Sequence, residues 1–434
     1  MKRPLKHFPK FERSTWRVFV VGLLVRLLVM PFAAHSDLMH MYWGAHLIAY
    51  HQRLTLGFEA LLRYLHGGYL WLITPMLPPT GSLWVHLAED PSLNPFLGTV
   101  VSMQGWFDFI SHPQVFRTLF LLKAPYLLFD LACAILLYRL GSDRARSRQM
   151  FTFWWLNPIL VFAVYVYGRH EVIALFFVIL SLYLIKRKRQ NWGLLALGLA
   201  IAIRYYAVFL LPFFVFSVEA RWKKRIQGLI IGLIPWLAVN LVGWALVGSI
   251  EAWGLVDLPH DYYLLSMKFE IAAWDHLYIF PLVYFLLVLH RLYNREIGLQ
   301  SLVQYSLIAL LLLFATAYTG QSPHYWTWFL PLLTIATVEN RQLLLLHVTQ
   351  IPFLIVYSFI GGRSTAGYLF APISPDFFWS LPSPVEAFER FASPEMVISL
   401  ARTAFSAVSL WMAYLVFRQI KITFSEDPRA KDAT

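Results

Sequence analysis

Apolar runs long enough to cross a bilayer recur along this chain from Trp16 to Phe417, and short basic clusters stand between them. A helix that spans the hydrocarbon layer needs about 17 to 25 largely apolar residues. By that measure the sequence predicts about ten spans, at 16–34, 116–138, 151–167, 172–185, 226–247, 274–290, 302–318, 325–338, 343–360 and 397–417. A water-soluble core is excluded, because 59% of the 434 residues are hydrophobic and only 14% are charged, against roughly 25% in soluble proteins. The expected fold class is all-α, a polytopic transmembrane helical bundle making one integral membrane domain over residues 1–434.

Lys and Arg number 36 against 24 Asp and Glu, an excess of +12. Such an excess fits nucleic acid, anionic lipid or a topology signal, and its placement decides between them. The basic residues gather at 2–17, 139–148, 186–189, 221–225, 291–295, 341 and 418–431. The positive-inside rule puts these stretches and both termini in the cytoplasm. Loops 35–115, 248–273 and 361–396, rich in Trp, Pro, His and acids, then lie outside, and nucleic acid drops out as a partner. One segment, 194–216, has basic clusters at both ends and Arg204-Tyr205-Tyr206 in its middle. A re-entrant helical hairpin over 194–217 satisfies both features, provided that protein or water surrounds the irregular backbone. In the first external loop, 65–77 is apolar but carries Gly67, Gly68 and Pro75, which predicts interfacial helices there. The single cysteine, Cys133, permits no intrachain disulfide. The basic N-terminus resembles a secretory signal, but Arg26 interrupts its apolar run, so an uncleaved first helix is expected. The chain has no Asn-x-Ser/Thr site, in keeping with a bacterial or archaeal plasma membrane.

Ionisable groups inside spans are costly and need partners or a purpose. Arg26, Lys123 and Asp130 are such groups; the structural reading of each is pairing with a neighbouring helix or, for Arg26 and Lys123, snorkelling, beside a functional reading that stays open. More informative are the polar residues that share the external side. Asp37 follows the first span, Gly168-Arg169-His170-Glu171 makes a short turn, and His324-Tyr325 closes another. The hairpin aims Arg204 at the same side. A carboxylate can take the proton of an attacking hydroxyl, and arginines can clamp a phosphate, so the set reads as group transfer from a phosphorylated lipid. No nucleophile elbow, P-loop, dinucleotide fingerprint or HExxH motif competes. Asp257, His260 and Asp261 have donor chemistry for a metal, though solvated loop residues are the better reading. Neither repeats nor inverted symmetry between halves, the mark of many transporters, is evident.

The order of these elements resembles the GT-C superfamily of polytopic glycosyltransferases, which use sugars carried on polyprenyl phosphate. Ser36-Asp37 is similar to its catalytic acidic position. Lys123-Ala124-Pro125 with Asp130-Leu131 resembles a "K-x-P…D-L" helix, and Trp155-Leu156-Asn157-Pro158 with Gly168-Arg169-His170-Glu171 resembles a "W-x-N-P…G-Q-x-D/E" pair. Gly198 to Arg204, with Leu211-Pro212, resembles "G-x-A-x-x-x-K…L-P", and His324-Tyr325 with Leu330-Pro331 a late "H/R-Y…L-P" element. The matches span about residues 20 to 335; Arg169-His170 and Arg204 depart from the family's Gln and Lys, and a second acid beside Asp37 is missing. The resemblance implies a mannosyltransferase-like enzyme moving a hexose from a polyprenyl-phosphate-linked donor to a lipid or glycan acceptor, with the apolar faces of the spans gripping the lipid tail in a groove open to the membrane lipids. It implies Asp37 as base, Arg204, Lys123 and Arg169 on the donor phosphate, and His170, Glu171, His324 and Tyr325 around sugar and acceptor. The resemblance fixes no cofactor, and a divalent cation, Mg or Mn, stays open. The competing class is a membrane transporter or lipid flippase with Arg26, Lys123, Asp130 and Arg204 lining a path, followed by a non-catalytic scaffold.

Overall fold

The structure, a computed structural model, describes residues 12–52, 59–83, 103–247, 264–294, 296–317, 323–360, 365–382 and 384–421. Among them every regular element is helical except one exposed antiparallel hairpin, β1 (Lys268–Ala272) with β2 (Asp275–Tyr278). The chain begins with α1 (Arg13–Val29) and continues through α2 (Ser36–His51), α3 (Ala60–Ile73), α4 (Thr80–Leu83) and α5 (Met103–Ile110). Next come α6 (Val115–Leu140), α7 (Arg144–Trp155), α8 (Pro158–Val161), a π-helical turn (Phe162–Val166) and α9 (Glu171–Lys186). Then follow α10 (Gln190–Ile203), a 3-10 segment (Tyr205–Leu210), α11 (Leu211–Phe216) and α12 (Trp222–Val247). After the β hairpin stand α13 (Ile279–Tyr293), α14 (Leu299–Thr316), a 3-10 turn (Pro323–Thr327), α15 (Leu330–Glu339) and α16 (Arg341–Ile360). Short helices α17 (Thr365–Phe370), α18 (Pro375–Trp379) and α19 (Pro384–Glu389) lead to α20 (Pro394–Phe417). Residues Asp257, His260 and Asp261 lie outside the described residues.

Among the described residues four helices are long and apolar enough to cross a membrane: α6, the Trp222–Ala245 stretch of α12, α14 and α20. A fifth arises if Arg144–Trp155 and Pro158–Val166, bent by 41°, count as one crossing. The expected ten full spans are therefore not supported by the described helices. Hydropathy alone does not register the breaks that shorten the rest. Run 151–167 is interrupted where Asn157 caps α8, its Oδ1 accepting from Ile159 N and Leu160 N, with Pro158 at the first helical position. Run 274–290 begins as strand, and run 325–338 yields only the ten-residue α15. Within the bundle α14 is central, with 83% of its apolar stretch buried, whereas α12 and α20 bury 28% of theirs. The outer faces of these two present Ile226, Ile230, Leu241, Leu400 and Trp411, surfaces suited to lipid rather than water.

Segment α10 to α11 doubles back. Gln190 Nε2 donates to the Val218 carbonyl at 2.9 Å, so its two ends meet, and Leu194 and Val215 both face Gly228 of α12. A Cβ on Gly198 would stand 2.4 Å from the Gly232 carbonyl oxygen, so only glycine lets α10 and α12 approach this closely. Arg204, midway, is extended with φ −143° and ψ 118°, the break between α10 and the 3-10 segment.

Candidate functional site

A buried lysine organises the ground beneath the site. Lys123 of α6 donates to the carbonyls of Met30 at 3.0 Å, of Tyr165 at 2.7 Å, and of Ala33. Its ammonium thus ties the last carbonyls after α1 to those of the π turn, the helix ends where a cation is favoured. The π turn closes with Tyr167 N on Phe162 O at 2.8 Å, and Gly168 turns the chain at φ +82°, a conformation that favours glycine. Arg169, His170 and Glu171 emerge from that turn. Beside it, His35 N donates to Tyr167 O at 3.1 Å, and Ala34 N to Leu369 O of α17 at 3.0 Å. His35 then caps α2, its Nδ1 accepting from Asp37 N at 3.2 Å, which fixes the Asp37 side chain against the turn.

From Asp37 a chain of alternating charges runs inward. Arg169 Nη1 lies 2.9 Å from Asp37 Oδ2, and its Nη2 lies 3.7 Å from Glu171 Oε1. The same Glu171 oxygen is 2.8 Å from Arg204 Nη2, while Arg204 Nη1 contacts Glu59. His170 Nε2 approaches Glu59 at 3.5 Å and His324 Nε2 approaches Glu171 at 3.7 Å. Trp328 Nε1 donates to the other Glu171 oxygen at 3.1 Å. The Arg204 guanidinium stands 5.4 Å from the Tyr325 ring centre and 5.8 Å from that of Trp328. Side-chain exposure along this chain runs from 22% at Asp37 through 11% at Arg169 to none at Glu171 and 1% at Arg204, and rises to 9% at Glu59. The cluster is therefore most open at Asp37 and has Glu171 and Arg204 at its floor.

These contacts set the protonation states at the open end. Burial opposes ionisation of Asp37, but Arg169 and His35 outweigh it and hold the carboxyl well below the usual carboxylate range. Burial likewise opposes the Arg169 charge, and Asp37 and Glu171 outweigh it, raising its proton affinity. His170 and His324 are pushed well below the ordinary histidine value by burial and then by Arg169, so both are neutral rings able to donate and accept hydrogen bonds.

Of the residues singled out from the sequence, Asp37, Arg169, His170, Glu171, Arg204, His324 and Tyr325 are brought together. Lys123 is not among them, its ammonium being engaged by three carbonyls below the turn. Glu59 joins them without having been foreseen; an isolated acid just before the apolar stretch of α3 was its only signal. Among the described residues no three His, Cys, Asp or Glu side chains stand close enough to hold a metal ion, and each carboxylate of the cluster faces an arginine. No protein-family model, curated protein or solved structure matches the chain.

Proposed function

We propose that this chain is a membrane glycosyltransferase of the GT-C type, carrying a mannose-like hexose from a polyprenyl-phosphate-linked donor to an acceptor hydroxyl at the membrane face away from the basic helix ends. The observation that carries the reading is the graded ion chain, with a carboxylate at the open end and an arginine at the floor. An acceptor entering from solvent meets Asp37 first. Its hydroxyl proton passes to the Asp37 carboxylate as its oxygen bonds to the anomeric carbon from the face opposite the phosphate, and the bond from that carbon to the prenyl phosphate breaks with inversion. The electron pair leaves on the phosphate, whose growing charge Arg204 and Arg169 stabilise in a site sheltered from water. Arg169 links the two events: while paired with Asp37 it makes that carboxylate a weak base, and by turning toward phosphate it strengthens it. His170, Glu171, His324 and Tyr325 orient the sugar. A transport path lined by Arg26, Lys123 and Asp130 fits less well, because Arg26 and Asp130 are bonded to each other and Lys123 to carbonyls.

The reading is tested with purified protein in lipid vesicles supplied with a mannosyl prenyl phosphate and a prenyl-linked glycan acceptor. Asp37→Asn keeps the shape and removes the base, and turnover is expected to fall by about 100-fold or more with donor binding retained. Arg204→Ala is expected to raise the donor KM. Near-normal turnover of Asp37→Asn removes Asp37 from the chemistry and the proposal with it.

A further inference from the structure

Asp37, Glu59 and Glu171 face Arg169 and Arg204 in the chain of contacts. With Arg63 of α3, whose charge is felt at His40 and His170, these three acids face three arginines in formal charge. A phosphate entering this buried cluster would unbalance it, and an uncompensated buried anion is strongly disfavoured. The geometry raises the same difficulty. Both terminal nitrogens of Arg204 lie against carboxylates, Nη1 against Glu59 and Nη2 against Glu171, so a phosphate gripped across these two nitrogens by parallel hydrogen bonds would meet a carboxylate at each. One carboxylate must give way.

Glu171 is the fixed one. It begins α9, has no exposure, holds the Trp328 indole and also faces Arg169. Glu59 is held differently. Among the described residues its carboxylate touches only Arg204 and His170, and its side chain is 9% exposed. It sits immediately before α3 with φ 64° and ψ 19°, a left-handed conformation that is uncommon for a residue with a side chain. Strained backbone of this kind persists where surrounding contacts over-determine it, and it gathers at ligand clamps and switches. Its carbonyl accepts from Arg63 N at 3.0 Å, and its side chain is held by the contacts that a phosphate would replace.

We infer that Glu59 is a substrate-displaced counter-ion: it occupies the phosphate position on Arg204 in the resting enzyme and yields it to the prenyl phosphate of the donor. This rests on the reading of Arg204 as the phosphate-binding residue. Glu59 keeps the buried cluster neutral before the donor arrives, and its departure restores neutrality once the phosphate is in place. It is a positioning residue, and it makes donor binding weaker than the arginines alone would allow.

Farnesyl phosphate titrated calorimetrically into the full chain in detergent micelles tests this. Glu59→Gln removes the competing charge and is expected to bind the probe about five- to tenfold tighter than the wild type, a difference of about 1 to 1.4 kcal/mol, and Glu59→Asp, one methylene shorter, is expected to bind it tighter by a smaller factor. In turnover the donor KM of Glu59→Gln falls while kcat does not rise. A purely structural role would weaken binding in both variants. Equal or weaker binding by both, with Arg204→Ala abolishing binding in the wild-type background, overturns the counter-ion and leaves the phosphate site standing. Unchanged binding by Arg204→Ala overturns both.

Discussion

His66 is buried between α3 and α6, with Nδ1 2.8 Å from the Leu62 carbonyl and Nε2 2.9 Å from the Tyr126 hydroxyl. The first contact needs a proton on Nδ1, and the second lets Nε2 accept from the phenol, so the neutral ring satisfies both neighbours. Burial, and then His170, lowers its proton affinity to about 3 against a smaller opposing pull from the Leu62 carbonyl. His46 of α2, buried and beside His51, is lowered to about 4. For a base whose folded value lies below its unfolded one, the stabilisation is complete above the unfolded value near 6.5. It is lost as pH falls from there toward the folded value, at up to about 1.4 kcal/mol per pH unit for each group. The packing of α2 and α3 on α6 should therefore weaken on acidification from pH 6.5 to 4. Melting temperatures of the detergent-solubilised protein should fall over that range, and less steeply in His66→Gln, which cannot take up the proton. Parallel slopes for the two proteins would show that His66 is not held neutral.

At the scale of elements, α1 is locked to α6 and α7 by one buried ion pair. Arg26 Nε lies 2.8 Å from Asp130 Oδ2, and Arg26 Nη1 donates to the carbonyls of Trp155 at 2.7 Å and Gly22 at 3.0 Å. Asp130 also accepts from Trp154 Nε1 and the Tyr165 hydroxyl, each at 2.7 Å, and the guanidinium stacks 3.8 Å from the Trp155 ring centre. Removing one member leaves the other charged, buried and unpaired, so Asp130→Ala should cost about 3 to 5 kcal/mol. The double change Arg26→Met with Asp130→Leu should be much milder. Denaturation of the single and double variants gives the coupling, and additive losses would mean that the two act separately. The sequence marked both residues as needing partners but could not match them, because they lie 104 positions apart and no periodicity links different helices. The same limit hid the π turn and the Asn157-Pro158 break, which leave hydropathy unchanged while altering where a helix ends. Grouping residues by their expected side selected Asp37, Arg169, Glu171 and Arg204, which the structure brings together. Glu59 escaped because it carries no motif and its partner Arg204 is remote in sequence.

At the scale of the molecule, the contacts gather the basic stretches at one end of the bundle. Lys186 at the end of α9 donates to the Leu140 carbonyl at the end of α6. Arg291 of α13 binds the Ser217 hydroxyl at 2.9 Å and the Phe216 carbonyl at 2.6 Å. Asn294 donates to the Lys421 carbonyl at 2.9 Å, and Gln300 meets Glu339 at 3.2 Å, next to Arg341. Both ends of the doubled-back segment join this group through the Gln190 to Val218 hydrogen bond, while Arg204 sits midway between them in the ion chain. If the positive-inside rule governs this end, then positions 191 and 219 share the cytoplasmic side although 27 apolar-rich positions separate 190 from 218 only by a turn at Arg204. In a Cys133→Ala background, Asn191→Cys and Glu219→Cys should both react with a membrane-impermeant maleimide only after the vesicles are opened, as Arg341→Cys should. His40→Cys, near the open end of the ion chain and 31% exposed in the side chain it replaces, should react from outside. Labelling of Asn191→Cys and Glu219→Cys from opposite sides would make the segment a true crossing and would move Arg204 out of reach of an external substrate.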